Sequence, residues 1–488
     1  MSGEATAERT AFAELAERAR TAGGSVAVLS RNRTHSFAEL HELSLRLSAG
    51  LAARGVERGA VVGVALGDGL SHLASLYALF ALGAVVLPLA PGATPHELAG
   101  TLRFYGARVL VAPHATSLDL GVPVLDVPAL LDSSKGPGSN DAVAELDDPA
   151  LITNSSGTTG VPKGALWTQR MLARRFRMQG TLLGLSPETR YGVVVPLFHS
   201  GSRNGSLATL HHGGSVAFLP HHQPSDLPEL ARRMELGVLY LVPGSLELVA
   251  RGPGARRLGG LAALYSTSDR LPRALRATVR EALTPRLYDA YVTSEGGYVS
   301  CFRPEDPRER DDSVGRPLPG VEVEVVDEDG AKLPSGAVGE LRTRAPTTPA
   351  GYYANDAASA IAFRDGWFYP GDRGRVDEAG YVELRGRTRY QFSRAGIKVF
   401  PEEIESVVTS YPGVREAAAV ARAGDGEIVV FFAADGGVTE AELARFSAER
   451  LSSYKRPERW LRVDALPRGA LGKVLRSELE RDAERSLG

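Results

Sequence analysis

A loop rich in glycine, serine and threonine contains the residue types that most directly indicate chemistry. It runs from Ser155 to Gly164 and reads Ser-Ser-Gly-Thr-Thr-Gly-Val-Pro-Lys-Gly. Glycines allow successive backbone N–H groups to turn around phosphate oxygens, hydroxyls donate hydrogen bonds, and a lysine supplies positive charge. Leu151 and Ile152 lead into the loop as the end of a strand would. The loop therefore predicts a site for the phosphates of a nucleotide.

The predicted site differs from that of P-loop nucleotidases. Their loop continues from Gly-Lys directly into Ser or Thr, whose hydroxyl holds Mg2+. In this chain Pro162 precedes Lys163 and Gly164 follows it, so the P-loop motif is absent from the sequence. The residues expected to hold the phosphates are Ser155, Ser156, Gly157, Thr158, Thr159, Gly160 and Lys163.

Further short motifs follow the loop towards the C-terminus. They are Tyr291-Val292-Thr293-Ser294-Glu295, Tyr369-Pro370-Gly371-Asp372, Gly386-Arg387, Gly396-Ile397-Lys398-Val399, Pro401-Glu402-Glu403-Ile404-Glu405 and, after Leu466-Pro467, Gly472-Lys473-Val474. In this order they resemble the adenylate-forming superfamily, which contains acyl-CoA synthetases, adenylation domains of peptide synthetases and luciferases. The resemblance extends over essentially the whole chain.

The resemblance implies a role for each matching residue. In the superfamily pattern, Ser294 approaches a phosphate, Glu295 holds Mg2+ and Asp372 binds both ribose hydroxyls. Arg387 is expected to close over the nucleotide, and Lys473 to be the catalytic lysine. The remaining residues implied at the nucleotide are Tyr291 and, in the adenine loop, Ser268 and Asp269.

These residue types suit the activation of a poor electrophile by ATP. An oxyanion attacks the α-phosphorus, pyrophosphate leaves, and negative charge accumulates in the transition state. Mg2+ on Glu295 and the ammonium group of Lys473 would stabilise that charge. Loss of one such contact typically lowers the rate by about 100- to 1000-fold. We therefore expect Lys473 and Glu295 to be catalytic, and the resemblance adds His199, in the segment described next, as a third catalytic residue.

A group of polar residues is expected to line the substrate pocket. The segment Val195-Pro196-Leu197-Phe198-His199 resembles the one whose histidine gates the acyl pocket, and Ser200-Gly201-Ser202-Arg203-Asn204 follows it. Because buried polar groups need partners, a polar wall would favour a small or polar substrate over a fatty acyl chain. If these segments are exposed loops, that preference does not follow. A separate alternative is that His199 is merely structural. The expected substrate contacts are His199, Arg203, Asn204, Leu241, Ser266 and Asp289.

Composition restricts the class of protein. The 488 residues are 43% hydrophobic and 23% charged, which is typical of a soluble enzyme of two or more domains. A net charge of −2 argues against a nucleic-acid partner. Cys301 is the only cysteine, so no intrachain disulfide can form, and a cytoplasmic location is expected. We expect no membrane insertion, since no uninterrupted apolar stretch approaches ~20 residues and Met1-Ser2-Gly3-Glu4 does not open a leader sequence.

Alternating strand and helix patterns predict an α/β fold. Residues 61–66 and 85–89 read as buried strands on either side of a helix over residues 71–82, which implies parallel pairing. A capping box over residues 36–39 predicts the start of an earlier helix. Apolar residues alternate with glutamate over residues 321–326, which predicts a β-rich antiparallel subdomain.

The motif order predicts a large domain and a small mobile one. The predicted divisions are an N-terminal AMP-binding domain of parallel-sheet α/β subdomains and a β-rich subdomain (residues 1–386), a hinge (387–390), and an α+β C-terminal lid that carries Lys473 (391–488). In the superfamily the lid rotates between an adenylate-forming pose and a thioester-forming pose. Here Tyr390 replaces the usual hinge Asp or Lys, and Phe392-Ser393 replaces Ile-Lys. The first half-reaction tolerates this change better than the second, although a tyrosine that merely packs would leave the rotation intact.

Three functions fit this pattern. The first is adenylation of a small or aromatic carboxylic acid with ATP, followed by transfer to CoA or a carrier thiol. The second is adenylation of nitrite and transfer to an aromatic amine, as in the ATP-dependent diazotases of secondary metabolism, since nitrite needs neither a long acyl tunnel nor a thioester pose. The third is nucleotide binding without catalysis, which the presence of Glu295, Asp372, Arg387 and Lys473 opposes.

Overall fold

The computed structural model describes most of the chain, and its helices lie mainly in the N-terminal domain. The described residues are 8–30, 33–113, 119–133, 144–155, 163–219, 223–252, 258, 260–268, 271–387, 392–394, 397–422, 426–468 and 474–485. The helices are α1 (Ala11–Ala22), α2 (Phe37–Ala53), α3 (Leu70–Leu82), α4 (Pro95–Phe104), α5 (Val127–Ser133), α6 (Gln169–Leu183), α7 (Ser200–His211), α8 (Leu227–Arg233), α9 (Pro243–Ala250), α10 (Arg273–Ala282), α11 (Asp356–Ala362), α12 (Pro401–Thr409), α13 (Glu440–Arg450) and α14 (Arg476–Arg485).

The strands alternate with these helices as far as β12 and then follow one another more closely. They are β1 (Val26–Ser30), β2 (Arg33–Ser36), β3 (Val61–Val64), β4 (Val85–Pro88), β5 (Val109–Val111), β6 (Val124–Leu125), β7 (Pro149–Ser155), β8 (Lys163–Thr168), β9 (Arg190–Val193), β10 (Ser215–Phe218), β11 (Val238–Tyr240), β12 (Ala263–Ser266), β13 (Leu287–Thr293), β14 (Gly297–Phe302), β15 (Arg316–Pro317), β16 (Glu322–Val326), β17 (Gly339–Arg344), β18 (Phe363–Arg364), β19 (Trp367–Phe368), β20 (Asp372–Val376), β21 (Val382–Arg387), β22 (Phe392–Arg394), β23 (Ile397–Val399), β24 (Val414–Ala421), β25 (Ile428–Ala434) and β26 (Arg459–Arg462).

Two local patterns predicted from the sequence are present in the structure, namely the helix cap at Ser36 and the strand–helix–strand unit around α3. Ser36 caps α2, because its hydroxyl accepts a hydrogen bond from the Glu39 N–H while the Glu39 carboxylate accepts one from the Ser36 N–H. Strands β3 and β4 pair in parallel, with Val62 opposite Val86, and α3 makes the crossover between them. The predicted strand–helix–strand unit is confirmed.

Two mixed, mainly parallel sheets form most of the N-terminal domain. One has the strand order β6-β5-β3-β4-β7-β8, with β8 antiparallel at its edge. The other has the order β15-β14-β13-β12-β11-β9-β10-β1-β2 and is parallel from β13 to β1. Since carboxyl ends of parallel strands meet at one edge, the loops that follow β9, β12 and β13 converge there.

A β-rich subdomain and a small C-terminal domain complete the molecule. The subdomain has the order β18-β19-β17-β20-β21, and β16 also pairs with β17, all antiparallel as predicted for this region. The C-terminal domain places α12, α13 and α14 around the sheet β24-β25-β26. The predicted hinge position Tyr390 lies outside the described residues, so the division at 387–390 stays a prediction. No helix in the described ranges is both long and apolar enough to cross a membrane.

Candidate active site

The two ends of the predicted phosphate loop meet across a hairpin. Ser155 at the end of β7 pairs with Lys163 at the start of antiparallel β8. The pairing brings the flanks of the intervening loop together, as a loop that wraps a phosphate requires. Five of the predicted phosphate contacts lie outside the described residues, namely Ser156, Gly157, Thr158, Thr159 and Gly160.

Glu295 lies beside this hairpin, in the turn between β13 and β14. The hydroxyl of Tyr352 donates a hydrogen bond of 3.1 Å to Oε1 of Glu295. The ammonium nitrogen of Lys163 lies 5.8 Å from the centroid of the same tyrosine ring. Tyr352 is thereby a bridge between the predicted magnesium ligand and the predicted phosphate lysine. A carboxylate oxygen beside a cation-bearing loop suits Mg2+ that also binds phosphate.

A second contact joins motifs that are distant in sequence. The hydroxyl of Tyr291 donates a hydrogen bond to Oδ2 of Asp372, a carboxylate that is 3% exposed. Across the β20–β21 pair, Asp372 stands opposite Arg387. The predicted ribose-binding acid, its tyrosine neighbour and the backbone of the predicted closing arginine are therefore adjacent. Asp269 of the predicted adenine loop lies outside the described residues.

A cavity of about 590 Å³ begins beside these nucleotide motifs. Ser294 and Ser268 are in its wall, and so is His199. His199 is the N-cap of α7, where its Nδ1 accepts a hydrogen bond of 3.3 Å from the Gly201 N–H. Its ring stacks on Tyr240 with centroids 6.0 Å apart. The predicted gating histidine is thus at the cavity wall with its ring orientation fixed by a cap and by stacking.

The predicted polar wall after His199 lines this cavity. Arg203 and Asn204 are 1% and 2% exposed, and both are in the lining. The Oδ1 atom of Asn204 has no hydrogen-bond partner among the described residues. Ser268 is also in the wall, with φ +85° and its hydroxyl 2.8 Å from the Tyr240 hydroxyl. A left-handed serine is uncommon and is held here by that hydrogen bond.

Three other predicted substrate contacts lie away from the lining described for this cavity. Leu241 and Ser266 are fully buried in the surrounding core. The Asp289 carboxylate accepts a hydrogen bond from the Arg276 guanidinium, and both residues are buried. Burial raises the pKa of Asp289, and the arginine opposes that effect. The roles predicted for these three residues in substrate binding stay predictions, and the structure gives Asp289 a partner within the protein.

Sequence reasoning missed several residues of the cavity wall. Tyr265 on β12 and Tyr298 on β14 are buried with ring centroids 6.2 Å apart. Arg175 on α6 is 4% exposed and also lines the cavity. The signal for Arg175 was its place on the apolar face of α6, beside buried Leu172 and Phe176. A cation on such a face is uncommon and indicates a site.

The other end of the cavity lies at the contact between the two domains. Lys455 of the C-terminal domain forms ion pairs of 2.9 Å with Glu97 of α4 and with Glu403 of α12. The Ser452 hydroxyl donates a further hydrogen bond to Glu97. Burial raises the pKa of Glu403, against the influence of Lys455. Burial would also raise the pKa of Glu97, but Lys455 and Ser452 outweigh it and hold that pKa below its ordinary value.

The predicted catalytic lysine, Lys473, lies outside the described residues. The nearest described residues on its two sides, Arg468 and Val474, form an isolated antiparallel bridge.

The converging motifs and the domain plan define an adenylate-forming ligase. The AMP-binding enzyme family matches residues 15–353, and the AMP-binding enzyme C-terminal domain matches residues 403–473. The chain therefore belongs to the AMP-binding enzymes, and the superfamily resemblance of its motifs is confirmed. It is an ATP-dependent, AMP-forming ligase.

Curated relatives span nearly the whole chain. A 2-succinylbenzoate–CoA ligase of Geobacillus kaustophilus is 31% identical over 96% of this chain and 97% of its own length. An indoleacetate–CoA ligase of Aromatoleum aromaticum is 29% identical over 93% of this chain and 94% of its own length.

Solved structures share the fold with different degrees of superposition. A double mutant of o-succinylbenzoate CoA synthetase (MenE) from Bacillus subtilis, bound with the product analogue OSB-NCoA, has a TM-score of 0.88 at 25% identity, with 97% and 98% of the two chains covered. MenE from the same organism in complex with the acyl-adenylate OSB-AMP has a TM-score of 0.72 at the same identity and coverage. The amide bond synthetase McbA from Marinactinospora thermotolerans has a TM-score of 0.85 at 26% identity, with 97% and 99% covered.

Proposed function

We propose that this enzyme adenylates a small aromatic carboxylic acid with ATP and Mg2+ and transfers the acyl group to the thiol of CoA. The observation that carries the proposal is the cavity of about 590 Å³, which joins the nucleotide motifs to the contact between the domains. Its volume lies within the range of about 300 to 1,000 Å³ that is usual for small-molecule sites. An acid can therefore enter with its carboxylate towards Ser294 and its body towards α6 and α7.

Aromatic side chains support a flat substrate. Tyr265 and Tyr298 line the cavity with ring centroids 6.2 Å apart, and Tyr240, which is not in the lining, contacts Tyr265 at 5.4 Å. Rings in such walls pack well against the face or edge of another ring. Both curated relatives described above activate acids whose names specify an aromatic ring, which agrees with the wall.

The lining at the far end of the cavity supports a reaction in which the acceptor binds between the two domains. Its wall combines Thr101 and Phe104 of α4 with Phe400 and Val407 of the C-terminal domain. The structure superimposes better on MenE with a CoA product analogue than on MenE with an acyl-adenylate. The higher TM-score with the form that holds a CoA product analogue supports CoA as the acceptor. McbA, an amide bond synthetase, has a TM-score of 0.85, so transfer to an amine is the competing outcome in the test below.

The residues support a two-step reaction. In the first step a carboxylate oxygen bonds to the α-phosphorus of ATP, and the bond to pyrophosphate breaks. Bound at Glu295, Mg2+ would neutralise phosphate charge, while Lys163 neutralises charge from the hairpin. Lys473 is expected to stabilise the charge that develops at the α-phosphate. In the second step the deprotonated thiol attacks the acyl carbon and AMP leaves with the oxygen that came from the acid.

His199 would protect the acyl-adenylate from water between the two steps. Its ring is fixed between the α7 cap and Tyr240, at the point where the acyl carbon must face either the phosphate or the thiol. A fixed imidazole can exclude water from the mixed anhydride, since exclusion of water prevents hydrolysis of reactive intermediates.

The test is pyrophosphate release by the purified enzyme with ATP, Mg2+ and a panel of aromatic acids, aliphatic acids and nitrite, followed by mass spectrometry of the products. We expect release with aromatic acids and an acyl-CoA product when CoA is added. Release with nitrite and an aromatic amine, and with no carboxylic acid, would replace the proposal by the diazotising function. If release depends on the acid but yields an amide and no thioester, the proposed activation of a carboxylic acid would stand and the proposed transfer to the CoA thiol would be refuted.

A further inference from the structure

Two arginines in the cavity wall have no acidic partner among the residues that the structure describes. Arg175 and Arg203 are 4% and 1% exposed, and both line the cavity. In the described part of the chain, the Nε atom of each has no hydrogen-bond partner, and no carboxylate acts on the pKa of either guanidinium. Buried charges in proteins are normally paired, so this arrangement calls for an anion from outside the chain.

The surroundings of Arg175 compensate its charge only in part. Its guanidinium carbon lies 4.7 Å from the Trp167 ring centroid and 5.5 Å from that of Tyr298. Such cation–π contacts stabilise a cation but satisfy none of its N–H donors. Burial lowers the pKa of Arg175, although Tyr298 and Tyr265 oppose the effect.

Arg203 is anchored but not neutralised. Its Nη1 donates hydrogen bonds of 2.8 Å to the Phe198 carbonyl and 3.4 Å to the Leu197 carbonyl. These bonds fix the guanidinium behind the segment that carries His199. Burial, with repulsion from Arg175, lowers the pKa of Arg203 to about 9. The two cations are thus close enough to disfavour each other in the absence of a shared anion.

The acids in the cavity wall do not supply that anion. Glu97 and Glu403 belong to the lining, but both are ion-paired with Lys455 at the contact between the domains. Asn204, beside Arg203 on α7, adds a buried polar group with an unpartnered oxygen. The uncompensated charge therefore lies at the α6–α7 end of the cavity.

We propose that the substrate acid carries a second carboxylate, which binds between Arg175 and Arg203 while the first is adenylated. The proposal rests on the proposed function and narrows its substrate class to dicarboxylic acids. Guanidinium groups bind carboxylates through charge-assisted, often bidentate hydrogen bonds, which supply both affinity and orientation. Arg175 and Arg203 would then orient the acid so that the carboxylate nearer Ser294 reacts.

The experiment compares matched pairs of acids in the pyrophosphate-release assay. The probes are benzoate with isophthalate and terephthalate, and hexanoate with adipate. We expect kcat/KM at least ~100-fold higher for the dicarboxylate of the preferred pair, since sites built for a polar group strongly reject analogues that lack it. The same dicarboxylate should raise the Tm of the enzyme without ATP, whereas its monoacid should not.

Variants on helix α6 test whether Arg175 causes the preference for the dicarboxylate. Arg175→Met should reduce the preference to within a few fold, chiefly by raising KM for the dicarboxylate, and Arg175→Lys should restore part of it. Arg177→Met, on the same helix but paired with Glu8, is the matched control and should keep the full preference. Retained Tm and ATP binding in Arg175→Met would show that the loss is not one of folding.

The outcomes separate this proposal from the proposed function. If monoacids and dicarboxylates are used equally well, or if the preference survives in Arg175→Met, the second-carboxylate site is refuted and acid activation stands. If nitrite alone supports release, the proposed function fails and the dicarboxylate substrate fails with it.

Discussion

At the scale of the residue, the nucleotide site depends on contacts between side chains that are far apart in sequence. The Tyr291 hydroxyl donates a hydrogen bond to the Asp372 carboxylate, and the Tyr352 hydroxyl donates one to the Glu295 carboxylate. In each contact a tyrosine hydroxyl orients a carboxylate, which fixes the direction of its remaining lone pairs. Carboxylates oriented in this way bind hydroxyls or metal ions without reorganisation, as efficient catalysis requires.

Asp372→Ala should weaken ATP binding. Charged hydrogen bonds contribute about 1.5 to 3 kcal/mol each, so we expect the dissociation constant to rise by about 10- to 100-fold. Isothermal titration with ATP and Mg2+ measures the change. Tyr291→Phe retains the carboxylate and should have a smaller effect. An unaltered ATP affinity in Asp372→Ala would remove this residue from the site.

Lys473→Ala should lose adenylation while still binding ATP. The lysine is expected to act in the transition state, so its loss should lower the rate of pyrophosphate release by about 100- to 1000-fold. Lys332→Ala is the control, because Lys332 is an exposed lysine paired with Glu324. A Lys473→Ala enzyme that releases pyrophosphate at the normal rate would exclude the proposed role.

At the scale of the element, helix α4 and the C-terminal domain share a partly buried ion pair. Lys455 lies between Glu97 and Glu403, and Ser452 and Thr94 add hydrogen bonds across the same contact. Removal of one partner from a buried pair is costly, because it leaves the other charge without compensation. This contact therefore holds α4 and the C-terminal domain in the observed arrangement.

Lys455→Met should weaken that arrangement. The change leaves the two partly buried carboxylates of Glu97 and Glu403 without their cation. Loss of one partner costs about 3 to 5 kcal/mol in a fully buried pair, and the partial exposure here makes the cost smaller. We expect thioester formation to fall more than adenylate formation, as measured by acyl-CoA yield and by pyrophosphate release. Lys332→Met is the control for loss of an exposed lysine. An equal fall in both half-reactions would mean that the contact serves overall stability and not the second pose.

The same elements explain what the sequence could and could not predict. The helix cap at Ser36 and the strands around α3 depend on neighbouring residues, so local patterns were sufficient to find them. The contact of Glu97 with Lys455 joins residues 358 positions apart and has no local signal. The pairing of buried Asp289 with Arg276 is likewise not visible in the sequence, because the sequence does not show which side chains meet across elements. The predicted substrate contact of Asp289 stays a prediction.

At the scale of the whole molecule, the two α/β sheets with their helices and the C-terminal domain supply the walls of the cavity. The cavity extends from Thr153 and Ser294, beside the nucleotide motifs, to Lys455 at the contact between the domains. The alternation of strands and helices and the order of the motifs predict a large α/β domain and a small C-terminal domain, and this fold class is confirmed. The arrangement of the domains was not predictable from the motifs, because it depends on contacts that form only when the domains meet.

The most direct test of ATP-dependent acid activation traces an oxygen atom from the substrate carboxylate into AMP. The enzyme is supplied with ATP, Mg2+, CoA and an accepted acid whose carboxylate carries heavy oxygen, and the AMP is analysed by mass spectrometry. If the carboxylate attacks the α-phosphorus, AMP leaves the second step with one heavy oxygen, and this is the result we predict. Unlabelled AMP, or ADP with labelled phosphate, would show that no acyl-adenylate forms and would contradict the account.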